Sequence, residues 1–170
     1  MTVFLCGFMG CGKSTVGKKL AGKLGCPFTD MDAYIEEHAG MTIPEIFSQH
    51  GEAYFRDLET QAMRALASQE GVIACGGGAM LREENARIAQ ETGSVVLLDL
   101  PFAMCYERIA DSDRPIVRRS SPEALEALYN TRLPIYRAHA THTVDATRSP
   151  SVTARAILAV LGAEPEGELT

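Results

Sequence analysis

The sequence predicts an α/β protein, in which a central parallel sheet of about five strands is covered by helices on both faces. Two observations carry that expectation. Short apolar runs, clearest from Val3 to Cys6, Val72 to Cys75 and Val95 to Leu98, alternate with segments whose apolar residues recur every three or four positions. Between the first run and the first periodic segment stands Gly7-Phe8-Met9-Gly10-Cys11-Gly12-Lys13-Ser14-Thr15. Glycines spaced this way, between a strand and a helix, let successive backbone N–H groups point at the oxygens of a bound phosphate.

The first helix is expected from Lys13 to about Leu24, with Gly25 able to take the left-handed conformation that ends a helix. Its N-terminus turns a positive dipole end toward the same phosphate. A short strand follows from Phe28 to Asp30, then a helix from Met31 to Ala39. Gly40 interrupts, and Ile43-Pro44-Glu45-Ile46-Phe47 starts another turn or two. A longer helix from Gly51 to Ser68 sets Phe55, Leu58, Ala62 and Leu66 near one face. The strand Val72 to Cys75 is closed by Gly76-Gly77-Gly78; helix is then expected from Glu83 to Glu91, strand from Val95 to Leu98 and helix from Phe102 to about Ala110. Asp111 to Pro115 is polar and has no apolar period. A helix from about Pro122 to His139 crosses Pro134, where the missing N–H predicts a bend. Thr143 to Asp145 is the last strand and Val152 to Leu161 the last helix. Residues 1–161 are thus expected to form one domain, and the polar, acidic stretch 162–170 a mobile tail.

Parallel sheets place ligands beyond the carboxyl ends of their strands. The loops after Cys6, Phe28, Cys75 and Asp145 are therefore expected to share one crevice. In it, Lys13 reaches the β- and γ-phosphates of a nucleotide, and Ser14 offers its hydroxyl to Mg²⁺. Asp30 and Asp32, two apart at a strand end, would both face the crevice, one toward Mg²⁺ or its waters and one toward a substrate hydroxyl. The alternative is a helix N-cap followed by a second acid in the first turn. The triple glycine offers bare backbone N–H groups to a ligand, or is simply a flexible turn. Arg56 and Glu59 share a helix face, so Arg56 is either a two-pronged carboxylate grip oriented by Glu59 or half of a surface ion pair. Arg132, beside the Pro134 bend, leaves the same choice. Val95-Val96-Leu97-Leu98-Asp99 has the look of a strand ending in a magnesium aspartate, although Asp99 could instead cap the helix that follows. The four histidines lack metal-ligand spacing and read as structural or solvated.

Composition narrows the classes. A formal charge of −6 argues against general nucleic-acid or membrane-surface binding, and no apolar run approaches the ~18 residues that span a bilayer. No basic, cleavable leader precedes the first strand. Five cysteines without a C-x-x-C pair suggest reduced thiols and a cytoplasmic location. All four lysines fall between Lys13 and Lys23 and all twelve arginines from Arg56 onward, so the arginines are the candidates for gathering positive charge around polyanionic substrates.

Six motifs in order resemble the shikimate kinase family: the phosphate loop, Asp30-x-Asp32, Gly51-Glu52-x-x-Phe55-Arg56-x-x-Glu59, Gly76-Gly77-Gly78, Arg114-Pro115 and Tyr129-x-x-Arg132-x-Pro134-x-Tyr136. The resemblance covers residues 3 to about 148. It implies a three-layer P-loop NTPase fold of the nucleoside-monophosphate-kinase type with a short lid at about 111–120. The implied reaction is ATP-dependent phosphorylation of the 3-hydroxyl of shikimate, on the route to aromatic amino acids, with ATP and Mg²⁺. Carried over by position, Gly10, Cys11, Gly12, Lys13, Ser14 and Thr15 hold the nucleotide, and Arg148 lies where the family places an arginine on adenine. Arg56 and Arg132 grip the carboxylate of shikimate, Gly77 and Gly78 supply backbone contacts, and Asp32 binds ring hydroxyls as the general base. Asp30 acts on Mg²⁺ beside the direct ligand Ser14, while Arg114 closes with the lid on the ATP phosphates. Cys11 is a departure from the family loop and suggests that ATP would shield its thiol from reagents. A gluconate kinase is the nearest rival, and the two arginines with the triple glycine favour a rigid cyclic acid instead. A monomer without nucleic-acid or membrane partners is expected.

Overall fold

The computed structural model describes residues 1–112 and 115–167. Five strands, β1 (Thr2–Cys6), β2 (Phe28–Asp30), β3 (Gly71–Ala74), β4 (Ser94–Asp99) and β5 (His142–Asp145), form one sheet in the order β2-β3-β1-β4-β5. Every pairing is parallel. Phe4, Leu5, Leu97 and Leu98 are fully buried at its centre, each contributing about 1.5–3 kcal/mol relative to exposure.

The connections are α1 (Lys13–Leu24), α2 (Met31–Ala39), α3 (Ile43–His50), α4 (Glu52–Ala67), α5 (Glu83–Thr92), α6 (Phe102–Ile109), α7 (Pro115–Arg118), α8 (Pro122–His139) and α9 (Pro150–Leu161). From β1 the chain moves outward to β2, then returns through β3 toward β4 and β5. Right-handed crossovers in opposite directions put helices on opposite faces. Accordingly α1 packs with α9 on one face, while α4, α5 and α8 occupy the other. The crevice opens between the ends of β1 and β3, whose outgoing chains part to opposite sides.

Register brings the motifs level. Leu5 lies opposite Ala74 and Ala74 opposite Asp30, so the phosphate loop, the triple glycine and the Asp30 turn leave the sheet side by side. Most expected element ends agree to within a residue or two. Helix α3, about two turns long as expected, is held by the reciprocal capping box of Thr42 and Glu45 and by the burial of Ile46 beneath it. Helix α8 continues through Pro134. In the stretch expected to be mobile, Glu166 N–H donates to Lys23 O at 2.7 Å.

Candidate active site

The nucleotide side is built by the loop after β1. Gly10 (φ 79°) and Gly12 (φ 95°) take left-handed torsions that a side chain would strain, and α1 starts as Val16 N–H bonds Gly12 O. Lys13 Nζ donates to Gly7 O at 2.7 Å and Phe8 O at 3.2 Å, which holds the ammonium against its own loop. A cavity of about 290 Å³ is lined by the loop from Gly10 to Thr15 together with Arg108 and Arg148. Arg148 stands on a turn tied by Asp145, whose carboxylate accepts from Thr147 N–H at 2.8 Å and its hydroxyl at 2.6 Å; these bonds hold its pKa below the ordinary value. Arg108, in the last turn of α6, donates to Gly10 O at 3.0 Å. Nothing in its spacing marks Arg108 in the sequence, since its partner is 98 residues away.

Cys11 lines this cavity but its side chain is only 1% exposed, and its Sγ lies 3.5 Å from Lys13 Nζ. The expectation that nucleotide would shield the thiol is therefore corrected: the folded loop already shelters it.

The second cavity, about 600 Å³, adjoins the first, and Lys13 and Ser14 line both. Asp30, Asp32, Arg56, Glu59, the triple glycine and Arg132 are among the polar residues of its wall, with Phe47 and Phe55 among the apolar ones. The Asp30 carboxylate serves two ends. Its Oδ1 caps α2 by accepting from Asp32 N–H (3.0 Å) and Ala33 N–H (3.2 Å), while Oδ2 accepts from the Ser14 hydroxyl at 2.9 Å. Strand alternation does not put Asp32 beside it, because Asp32 already belongs to the first turn of α2. The cap and the crevice readings hold together.

Arg56 is held by Glu59 at 2.7 Å and Glu52 at 3.1 Å. Glu59 is 1% exposed; burial pushes its carboxyl above the ordinary 4.5, against the pull of the Arg56 guanidinium, with Asp32 adding to the rise. Among the described residues, Glu59 Oε2 has no hydrogen-bond partner. Arg132 is 8% exposed and reaches the cavity from α8. None of the three glycines has positive φ, and Gly76 and Gly78 are needed for space, whereas a Cβ on Gly77 would make only ordinary contacts. A Cβ on Gly76 would stand 2.7 Å from Asp32 Oδ1, one on Gly77 3.7 Å from Arg132 Nη1, and one on Gly78 would overlap the Arg56 guanidinium.

Not every candidate arrives. Asp99 pairs with Arg137 at 3.5 Å, lines neither cavity, and leaves the α6 N-cap to Pro101, so neither of its readings holds. Arg114 lies outside the described residues. Ile116 and Arg119, just beyond it, line the larger cavity and were not singled out by spacing. Among the described residues no cluster of three or more His, Cys, Asp or Glu forms a metal site.

Two adjoining cavities over one phosphate loop are the architecture of a kinase, and residues 9–162 match the model of the shikimate kinase family. The chain belongs to the shikimate kinase family. A Burkholderia pseudomallei shikimate kinase is 41% identical over 98% of this chain and 92% of its own, and one from Ruegeria pomeroyi is 46% identical over 79% and 71%. Among solved structures, Acinetobacter baumannii shikimate kinase in complex with shikimate is 35% identical, superposes with a TM-score of 0.90, and matches over 99% of this chain and 95% of that one. A gluconokinase from Sinorhizobium meliloti, 21% identical with a TM-score of 0.62, shares the fold alone. The family's fold is thus the α/β P-loop kinase fold seen here, and the chain is a kinase.

Proposed function

We propose that this chain transfers the γ-phosphoryl group of ATP to the 3-hydroxyl of shikimate, giving shikimate 3-phosphate and ADP, in the cleft just described. One observation carries the reading: Lys13 and Ser14 stand in the shared wall between a phosphate loop and a pocket lined by Arg56, Arg132 and Asp32. ATP would occupy the smaller cavity, its phosphates against the Gly10–Thr15 loop and its base toward Arg108 and Arg148. Shikimate would occupy the larger, its carboxylate between Arg56 and Arg132 and against the Gly77 and Gly78 backbone. That grip orients the ring so that its 3-hydroxyl faces Asp32, which takes the proton as the oxygen bonds to phosphorus and ADP departs. Phosphoryl transfer asks mainly for alignment and charge stabilisation. Lys13 supplies the charge, joined by Arg114 when the lid at 111–120 closes and excludes water.

The Ser14 hydroxyl and Asp30 Oδ2, 2.9 Å apart, form a hard-oxygen pair at the phosphate edge that fits Mg²⁺, which keeps most of its waters and takes few protein ligands. Bound there with ATP, the ion would offset charge on the β- and γ-oxygens. The same reading takes residues 1–161 as one kinase domain working as a cytoplasmic monomer, without nucleic-acid or membrane partners; the −6 charge supports the last point.

Coupling ADP release to an absorbance readout tests the assignment. Release should depend on shikimate and Mg²⁺ and fail with gluconate; equal turnover of gluconate would overturn it.

A further inference from the structure

The triple-glycine turn is held from behind by side chains that do not line the cleft. Tyr136, 1% exposed, donates its phenol hydrogen to Gly77 O. Asn85, equally buried, donates through Nδ2 to Ala79 O at 2.8 Å and accepts from the Thr60 hydroxyl at 2.7 Å. Neither residue lines the acceptor cavity, whereas Gly77, Gly78 and Arg132 do.

A trans peptide is planar, with its C=O and N–H on opposite sides. Pinning Gly77 O therefore also sets the direction of Gly78 N–H. Arg132 stands one turn before Tyr136 on α8 and is an electrostatic neighbour of its phenol, so this side chain adjoins both a backbone donor and a cation that face the same cavity. Burial pushes the phenol's pKa up, which keeps it a donor at any working pH. Asn85 fixes the next turn, Ala79–Leu81, to α4 through Thr60, one helical turn beyond Arg56.

We infer that Tyr136 and Asn85 are positioning residues for the acceptor: they hold the glycine turn and Arg132 in the relative placement that a carboxylate on a rigid ring requires. The inference rests on the acceptor site proposed above. Its contrary is that both side chains merely fill the core. Tyr136→Phe distinguishes the two, because it keeps the ring and removes only the hydroxyl.

The test is calorimetric titration of shikimate and steady-state kinetics on the full chain, comparing wild type, Tyr136→Phe and Asn85→Asp. Asn85→Asp keeps an acceptor for Thr60 and loses the donor to Ala79 O. Each variant should bind shikimate roughly tenfold more weakly and show a similar rise in its KM, with the KM for ATP unchanged. Unchanged shikimate affinity in a folded Tyr136→Phe protein overturns the inference. So does an equal loss of shikimate and ATP affinity, the mark of general loosening. Should Tyr136→Phe fail to fold, Asn85→Asp is read by the same criteria. A wild-type protein that does not phosphorylate shikimate would sink the acceptor reading instead, so the two failures are separable.

Discussion

Each of the three glycines after β3 faces a different functional group: the Asp32 carboxylate at Gly76, Arg132 at Gly77 and Arg56 at Gly78. A methyl group on Gly78 has nowhere to go but into the Arg56 guanidinium. Gly78→Ala should therefore raise the KM for shikimate about tenfold or more while leaving that for ATP alone, as initial-rate kinetics would show. Arg132→Ala removes a buried charged donor from the cavity wall and should raise the same KM by on the order of ten- to a hundredfold. An unchanged value would contradict its role. Lys13→Ala should instead act on kcat, by roughly a hundredfold or more, because the ammonium matters most as charge moves between phosphates. Glu59 gives a pH signature. Its folded pKa lies above the ordinary 4.5, so the native state binds its proton more readily than the unfolded chain does. Its contribution to stability is fully present below 4.5 and is lost as pH rises through the raised folded value. Denaturant unfolding at several pH values should show this loss in wild type and not in Glu59→Gln.

At the scale of elements, the acceptor pocket depends on a helix that propensity alone would not secure. Helix α3 carries Ile43, Pro44 and Phe47 into the larger cavity, and its eight residues are too few to persist in isolation. Its capping box and the burial of Ile46 hold it. Thr42→Ala removes the hydroxyl that accepts Glu45 N–H, and should lower stability by about 1 kcal/mol in chemical unfolding. Because the cap lies at the pocket wall, shikimate binding should weaken with it while ATP binding does not. Element boundaries elsewhere were largely legible from glycine and apolar period: Gly25, Gly40 and Gly162 all end helices in the left-handed conformation. Asp99 misled for a physical reason. An apolar strand ending in an acid looks the same whether that end faces phosphate or, as here, Arg137.

For the whole molecule, two cavities that share Lys13 and Ser14 predict that each ligand stabilises the native state by mass action. At about 100 times its Kd, shikimate should add ~2.7 kcal/mol, which for a chain of this length is a rise of roughly 5–10 °C in Tm. Differential scanning calorimetry checks this, and no rise with saturating shikimate would rule out the acceptor pocket. What the sequence by itself determined is the α/β class, the nucleotide loop and the identities of most polar groups in the cleft. Those follow from short-range rules: strand and helix periods, a loop of fixed glycine spacing, and acids and arginines within contiguous motifs. Only the tertiary structure decided that Arg56, Gly77 and Arg132 converge beside Lys13, that Arg108 leans over Gly10, and that Tyr136 braces the glycine turn from behind. The physical reason is that such contacts join residues tens of positions apart, and the order and handedness of the strand connections bring them together, which no local pattern encodes.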